Sequence, residues 1–324
     1  MVSPLPRPVV AAGLVVGVLA VSAAAILSRY AMGDEPGVIT APAGAAPALA
    51  VAFWRTALGA LALAPFAVRN ARRSAASRDL RHQARLAASG LAIGLHFLLF
   101  QGALALTTVA SAVTLATMSP LFVALGGWWF LKEATPRRMW IGMALTMAGA
   151  IVVGVGDAST LEHGMRALGG DVMAFGSALA ITVYLLIGRV ARRDTPTTTY
   201  SATVYGWAAV ALLPVCLLTG TPLFGYQPTT WLAIVGIVVG PQLLGHTVFN
   251  ALLSTIPATL VSIVVLSEPV GAGVLAWLLL GELPSPLFAV GAPLVLLGVA
   301  LATARSRAPA TASDSPVGVD TDEH

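Results

Sequence analysis

Ten apolar segments constrain this chain more than any motif does. They run at roughly 9–27, 48–68, 86–106, 111–131, 138–155, 170–187, 200–218, 230–253, 259–280 and 287–304. Each is close to the ~20 residues that carry a helix across a hydrocarbon core. In lipid, every backbone N–H and C=O must be paired within the protein, so only helices and closed barrels cross. These runs are continuously apolar and do not alternate in polarity, so the pattern predicts an all-α integral membrane fold of ten transmembrane helices. Composition agrees: 57% hydrophobic and 10% charged residues leave too little polar surface to cover a water-soluble chain of 324 residues. The first run carries a signal-like AVSAAA stretch. It is expected to be retained as a span, because the following spans need it for their orientation.

The charges read as topology signals. Alternating ten spans from a cytoplasmic N-terminus gathers Arg69, Arg72, Arg73, Arg78, Arg81, Arg85, Lys132, Arg137, Arg138, Arg189, Arg192, Arg193, Arg305 and Arg307 on one side. Asp34, Glu35, Asp157 and Glu162 fall on the other, with little basic charge beyond Arg29 and Arg166. The positive-inside rule then places both termini in the cytoplasm, in a multi-pass protein of the cell membrane. The net charge of +4 does not imply nucleic acid, because no clustered basic face with aromatic platforms accompanies it. Cys216 is the one cysteine, so no disulfide framework or cysteine metal site is available. No HExxH, nucleotide-binding loop or GxSxG motif occurs, and no cofactor or metal is expected. Residues 305–324 lack apolar periodicity and are expected to form a disordered cytoplasmic tail.

The stretch from Leu266 to Glu282 places Glu268 and Pro269 inside a span. A carboxylate at that depth is costly against lipid and belongs on a bundle interior or a wet cavity. The adjacent proline frees carbonyls of the preceding turn. The surrounding sequence is also repeated. Pro120 and Pro269, Trp128 and Trp277, Glu133 and Glu282, Gly142 and Gly291, and Gly149 and Gly298 all stand 149 positions apart, without a gap. Each half holds five spans, an odd number, so the second half enters the membrane from the opposite side. The pattern predicts two inverted five-helix repeats, which in transporters place the binding site near the midplane where the repeats meet.

In each half a proline is followed thirteen positions later by a glutamate, Pro120 to Glu133 and Pro269 to Glu282. Together with Ser267-Glu268-Pro269-Val270 and Gly245-His246-Thr247-Val248-Phe249-Asn250, this resembles the EamA-type permeases of the drug/metabolite transporter superfamily. The resemblance spans about residues 9–304 and implies one EamA-like repeat at 9–155 and a second at 170–304. It further implies a secondary-active transporter that exports a small metabolite, amino acid or drug by alternating access. The bilayer and a small-molecule substrate are then its partners; the proton enters as a candidate coupling ion from Glu268, not from the resemblance. The alternative is a permease subunit dependent on a partner ATPase, although the cytoplasmic loops look short for such docking. One departure is that Ser119 stands where the second half has Glu268.

The candidate substrate-binding or coupling residues are Arg55, His96, Gln101, Gln242, His246, Asn250 and Glu268. Gln242, His246 and Asn250 fall at i, i+4 and i+8 on the eighth span, which predicts one polar stripe on a single helical face. Gly240 and Pro241 precede the stripe and are expected to bend it. Gln101 is the repeat counterpart of Asn250. Arg55 is expected to supply fixed positive charge for a substrate carboxylate, which a guanidinium binds in bidentate fashion. Glu268 is expected to act as a protonation switch, with His96, Gln242 and His246 around it. Tyr184 is amphipathic and could line a cavity, but packing is the first expectation. Glu133 and Glu282 are expected to act as hinge and capping elements ahead of Thr135-Pro136 and Ser285-Pro286.

Overall fold

The computed structural model describes residues 5–33, 44–71, 80–107, 109–158, 165–280 and 286–304, and every regular element among them is helical. In chain order these are α1 (Arg7–Ser22), α2 (Ala24–Met32), α3 (Ala48–Ala71), α4 (Leu80–Leu106), α5 (Val109–Ala116), α6 (Ser119–Leu131), α7 (Arg137–Ala158), α8 (Met165–Ala191) and α9 (Thr197–Leu218). They continue with α10 (Pro228–Ile237), a π-helical segment (Val238–Thr247), α11 (Val248–Leu252), α12 (Ala258–Val265), α13 (Glu268–Leu280) and α14 (Phe288–Thr303). Among the described residues, eight helical stretches are long and apolar enough to cross a membrane, several of them built from more than one helical piece. A further apolar helix, α14, has 16 residues and is shorter than these. The expected tail at 305–324 and Glu282 lie outside the described residues.

Small residues let the helices approach closely. α7 and α14 cross at Gly142 and Gly149 against Gly298 and Gly291. A Cβ on Gly142 would sit 2.6 Å from the Gly298 carbonyl, and one on Gly291 would sit 2.6 Å from the Gly149 carbonyl. Backbone-to-backbone packing of this kind is the usual source of attraction between helices in lipid, where apolar burial alone supplies little. α4 packs against both α8 and α9, and α3 packs along α9. Their shared core holds Ile93, Phe97, Tyr184, Tyr200, Tyr205 and Phe249.

The two ends of the bundle differ in chemistry. At one end Glu133 pairs with Arg189 at 2.9 Å, and Arg189 Nη1 donates to the Leu253 carbonyl at 2.8 Å. His82 Nε2 lies 3.0 Å from Thr195 Oγ1, and Asn70 Nδ2 donates to Thr198 Oγ1 at 3.0 Å. These contacts draw the basic connections together. The expectation for Glu133 is thereby refined: its carboxylate ties α6 to α8, while its backbone N–H closes α6 by donating to Gly127 O at 3.0 Å. At the other end Trp54 Nε1 donates to Leu223 O at 2.8 Å, and its ring packs edge-on against Phe224 and Trp231.

Two spans are broken in the same way. α5 ends at Ala116 and α6 begins at Ser119, while α12 ends at Val265 and α13 begins at Glu268. In each junction a three-residue turn closes the first piece, Met118 N to Leu115 O at 3.2 Å and Ser267 N to Val264 O at 3.0 Å. Pro120 and Pro269 explain why: neither has an N–H to continue the α-helical ladder, so the chain tightens before it resumes.

Candidate functional site

The broken spans meet α1, α3, α4, α8 and the π-helical segment around a cavity inside the bundle. Its wall is mostly apolar, with Val21, Phe100, Ile181, Leu185 and Val261 contributing. Four of the sequence-predicted residues line it: Arg55, His96, His246 and Glu268.

Arg55 is 1% exposed and comes from the middle of the first half of α3. Its Nε donates to Gln242 Oε1 at 3.0 Å, and its Cζ lies 3.7 Å from the centre of the Phe97 ring. A guanidinium over a ring face gains more when it is desolvated, as here. Nη2 is buried and has no hydrogen-bond partner. Glu268, in the first turn of α13, faces the same cavity, yet no ion pair joins it to Arg55 among the described residues. A buried cation with an open donor thus shares one space with an uncommitted acid.

The histidines form the adjoining wall. His96 Nδ1 contacts Ser177 at 2.8 Å to Oγ and 3.1 Å to the carbonyl, which fixes the ring against α8. His246 stands edge-on to it with ring centres 6.1 Å apart, and edge-on to Phe97 at 5.0 Å. The two imidazoles and the guanidinium therefore share Phe97 as a common packing partner.

The remaining three candidates lie off the cavity wall. Gln242 sits behind Arg55 as its hydrogen-bond acceptor. Gln101 is fully buried, and its Nε2 donates to Ser28 Oγ at 3.0 Å. Asn250 accepts from the Tyr184 hydroxyl through Oδ1 and donates to Ser201 Oγ at 3.0 Å. The expected i, i+4, i+8 stripe is divided because Val238–Thr247 is π-helical, which changes the angular spacing of the side chains. Pro241, inside that segment, cannot donate to the ladder. The Gln242 carbonyl accepts from the hydroxyls of Thr247 at 3.1 Å and Tyr205 at 3.3 Å.

Sequence reasoning missed several residues of this site. Phe97 looks like any apolar residue of a span, and only its neighbour His96 marks the position. Tyr184, expected to serve packing, lines the cavity with its ring while its hydroxyl holds Asn250. Ser119 also lines it, and its place 149 positions before Glu268 was the available signal. Arg192, 1% exposed, donates through Nε to the Asn250 carbonyl at 2.8 Å, a role its place in a basic loop run concealed.

A helical bundle with membrane-length apolar spans, enclosing a mostly apolar cavity that buries a few ionisable groups, defines a multi-pass membrane protein of the transporter class. Comparison with known proteins makes the class specific. The model of the EamA-like transporter family matches residues 10–155 and again 168–304, and this chain belongs to that family. It is 28% identical to an uncharacterized transporter of Archaeoglobus fulgidus over 69% of this chain and 76% of the relative. It is 26% identical to the uncharacterized transporter YwfM of Bacillus subtilis, over 66% of this chain and 71% of that protein. One crystal structure superposes with a TM-score of 0.73 over 92% of this chain and 98% of its own, at 18% identity, a likeness of fold alone.

Proposed function

We infer that this chain is a gradient-driven, alternating-access transporter that exports a small molecule bearing a carboxylate, with the proton as the coupling ion. The observation that carries the reading is the cavity itself, where, among the described residues, Arg55 Nη2 has no hydrogen-bond partner and Glu268 has no ion-pair partner. A substrate carboxylate fits the open face of the guanidinium, which stays charged and binds such groups in bidentate fashion. Glu268 takes up and releases the proton that accompanies the exchange. His96, His246 and Gln242 hold the polar surroundings, and Gln101 and Asn250 support the same helices from behind.

The architecture behind this reading is ten spans in two inverted repeats, at 9–155 and 170–304. Two features support it. The breaks before Ser119 and Glu268 fall at the same repeat position. Gly142 meets Gly298 while its counterpart Gly291 meets Gly149, so the α7–α14 crossing maps onto itself when the halves are exchanged. Rocking of one half against the other about a fixed midplane site is the motion such repeats perform. In this reading the Glu133–Arg189 end, rich in arginine, faces the cytoplasm, as do both termini.

The test is transport by purified protein in proteoliposomes, with a pH gradient and no nucleotide, across a panel of carboxylates, amino acids and cationic drugs. Gradient-dependent movement of carboxylate-bearing compounds is expected. Strict dependence on ATP and a partner ATPase would overturn the mechanism, and transport confined to cations would overturn the role of Arg55.

A further inference from the structure

A second cavity, of about 470 Å³, lies on the outer surface of the bundle near its basic end. Its floor is one stripe of α8, Val183, Leu186, Ile187 and Val190, at the i, i+3, i+4, i+7 spacing of a single helix face. Its walls are Arg85 of α4 and Phe130 and Leu131 of α6. The opening arises because α4 and α6 both pack along α8 but scarcely on each other. One end of the groove is shut at Gly126, where a Cβ would come within 2.4 Å of Leu186 Cδ1. One turn later, at Phe130, α6 leaves α8 and the ring is 75% exposed.

The groove is independent of the transport site. Ile181, Tyr184 and Leu185 of α8 face the inner cavity, on the opposite side of that helix from Val183, Leu186, Ile187 and Val190. The face would therefore be wasted on lipid contact of no particular kind were it not for Arg85. This arginine is exposed, makes no hydrogen bond or ion pair with the described residues, and stands one turn from His82 at the basic end. Nearby charge reinforces it. Lys132 follows Leu131 and is exposed, and Arg193 is 55% exposed in its side chain. Among the described residues at this end, Glu133 is already committed to Arg189 at 2.9 Å, with Arg193 at 3.9 Å, and Asp194 is a further acid.

We propose that this groove is a binding site for an anionic phospholipid of the leaflet at the basic end, with an acyl chain along the Val183–Val190 stripe and the phosphate on Arg85. The chemistry is complementary at both ends: an apolar trough open sideways to hydrocarbon, and an uncommitted guanidinium where the headgroups begin. A zwitterionic lipid offers the same chain and phosphate but adds a cation beside Arg85 and Lys132, so it binds less well. The same arrangement does not suit a second copy of this chain, which would set Arg85 and Lys132 against their own symmetry-related charges.

The experiment measures lipid retained by the delipidated, detergent-solubilised full chain after addition of phosphatidylglycerol or phosphatidylcholine, read by native mass spectrometry. The wild type is expected to hold phosphatidylglycerol preferentially. Arg85→Gln is expected to lower its retention about threefold to fivefold, the effect of one basic residue at an anionic surface, and to leave phosphatidylcholine unchanged. Arg85→Lys should keep the preference, which separates charge from a fold defect. Val183→Trp, filling the floor, should lower retention of both lipids. Equal retention of the two lipids by the wild type, or an Arg85→Gln variant that keeps full preference, would overturn the proposal. So would a Phe130→Cys variant that cross-links into dimers irrespective of lipid, since that assigns the groove to a second copy.

Discussion

At the α5–α6 junction the chain turns through Thr117 and Met118 before Ser119 and Pro120, and at the α12–α13 junction through Leu266 and Ser267 before Glu268 and Pro269. The backbone solution is the same, a three-residue turn ahead of a proline that cannot donate. The side chain delivered to the cavity is not. One junction presents a hydroxyl and the other a carboxyl, and both line the same space. The break is therefore a property of the proline, while the chemistry is set by the residue before it. Two halves built alike can then serve different purposes, one supplying a titratable group and the other a neutral wall.

The strongest way to break this comparison is to remove the acid. Glu268→Gln keeps the size and hydrogen bonding of a protonated carboxyl but has no proton to release. The variant is expected to fold normally, retain substrate exchange across the membrane, and lose accumulation driven by a pH gradient by tenfold or more, on the order of 1.4 kcal/mol of coupling. Ser119→Ala should leave gradient-driven accumulation within about twofold, less than 0.5 kcal/mol. If Glu268→Gln retains full gradient-driven accumulation, the two junctions are equivalent structural turns, and coupling must be sought at His96 and His246.

The backbone of this comparison was readable in the sequence, and its wiring was not. Apolar runs of bilayer length mark the helices, and the 149-residue offset pairs the two prolines in the sequence itself. Arg55, His96, His246 and Glu268 stood out because polar groups within apolar spans are costly. Helical periodicity misled at the eighth span, since a π-helical turn changes which side chains share a face. It parted Asn250 from His246 and left Gln242 holding Arg55. Phe97, the ring beneath the guanidinium, carried no signal at all, because an aromatic residue in a span is unremarkable until its partner is located.

A second test sharpens the contrast from the cationic side. Arg55 is fixed by Gln242 and Phe97 with one nitrogen unpaired, so its planar fork is set before any ligand arrives. Lysine retains charge but has neither the fork nor a delocalised plane to stack on the ring. Arg55→Lys is expected to weaken the apparent affinity for a carboxylate substrate about tenfold, roughly one charge-assisted hydrogen bond. Thermal stability should change much less than this. Measuring substrate affinity and unfolding temperature on the same preparation checks both statements. Unchanged affinity in Arg55→Ala would assign the residue to packing and remove it from the site.

The smallest effect tests the backbone half of the comparison directly. Pro120 and Pro269 each stand second in the helix that follows the break, where the ring's fixed φ suits the helix and the missing N–H is one the first turn leaves unpaired anyway. Replacing either by alanine releases a constraint on the unfolded chain and restores a donor that can reach back to Ala116 O or Val265 O. The two changes pull in opposite directions: greater unfolded freedom destabilises, and a continued helical bond stabilises. Each should therefore shift stability by less than about 1 kcal/mol, and both by the same amount if proline alone makes the break. The measurement is the unfolding temperature of Pro120→Ala and Pro269→Ala side by side in one detergent. A much larger loss in Pro269→Ala would mean that the second junction also depends on Glu268 at the start of α13, so that turn and acid are coupled, and the separation of backbone from chemistry would hold only in the first half.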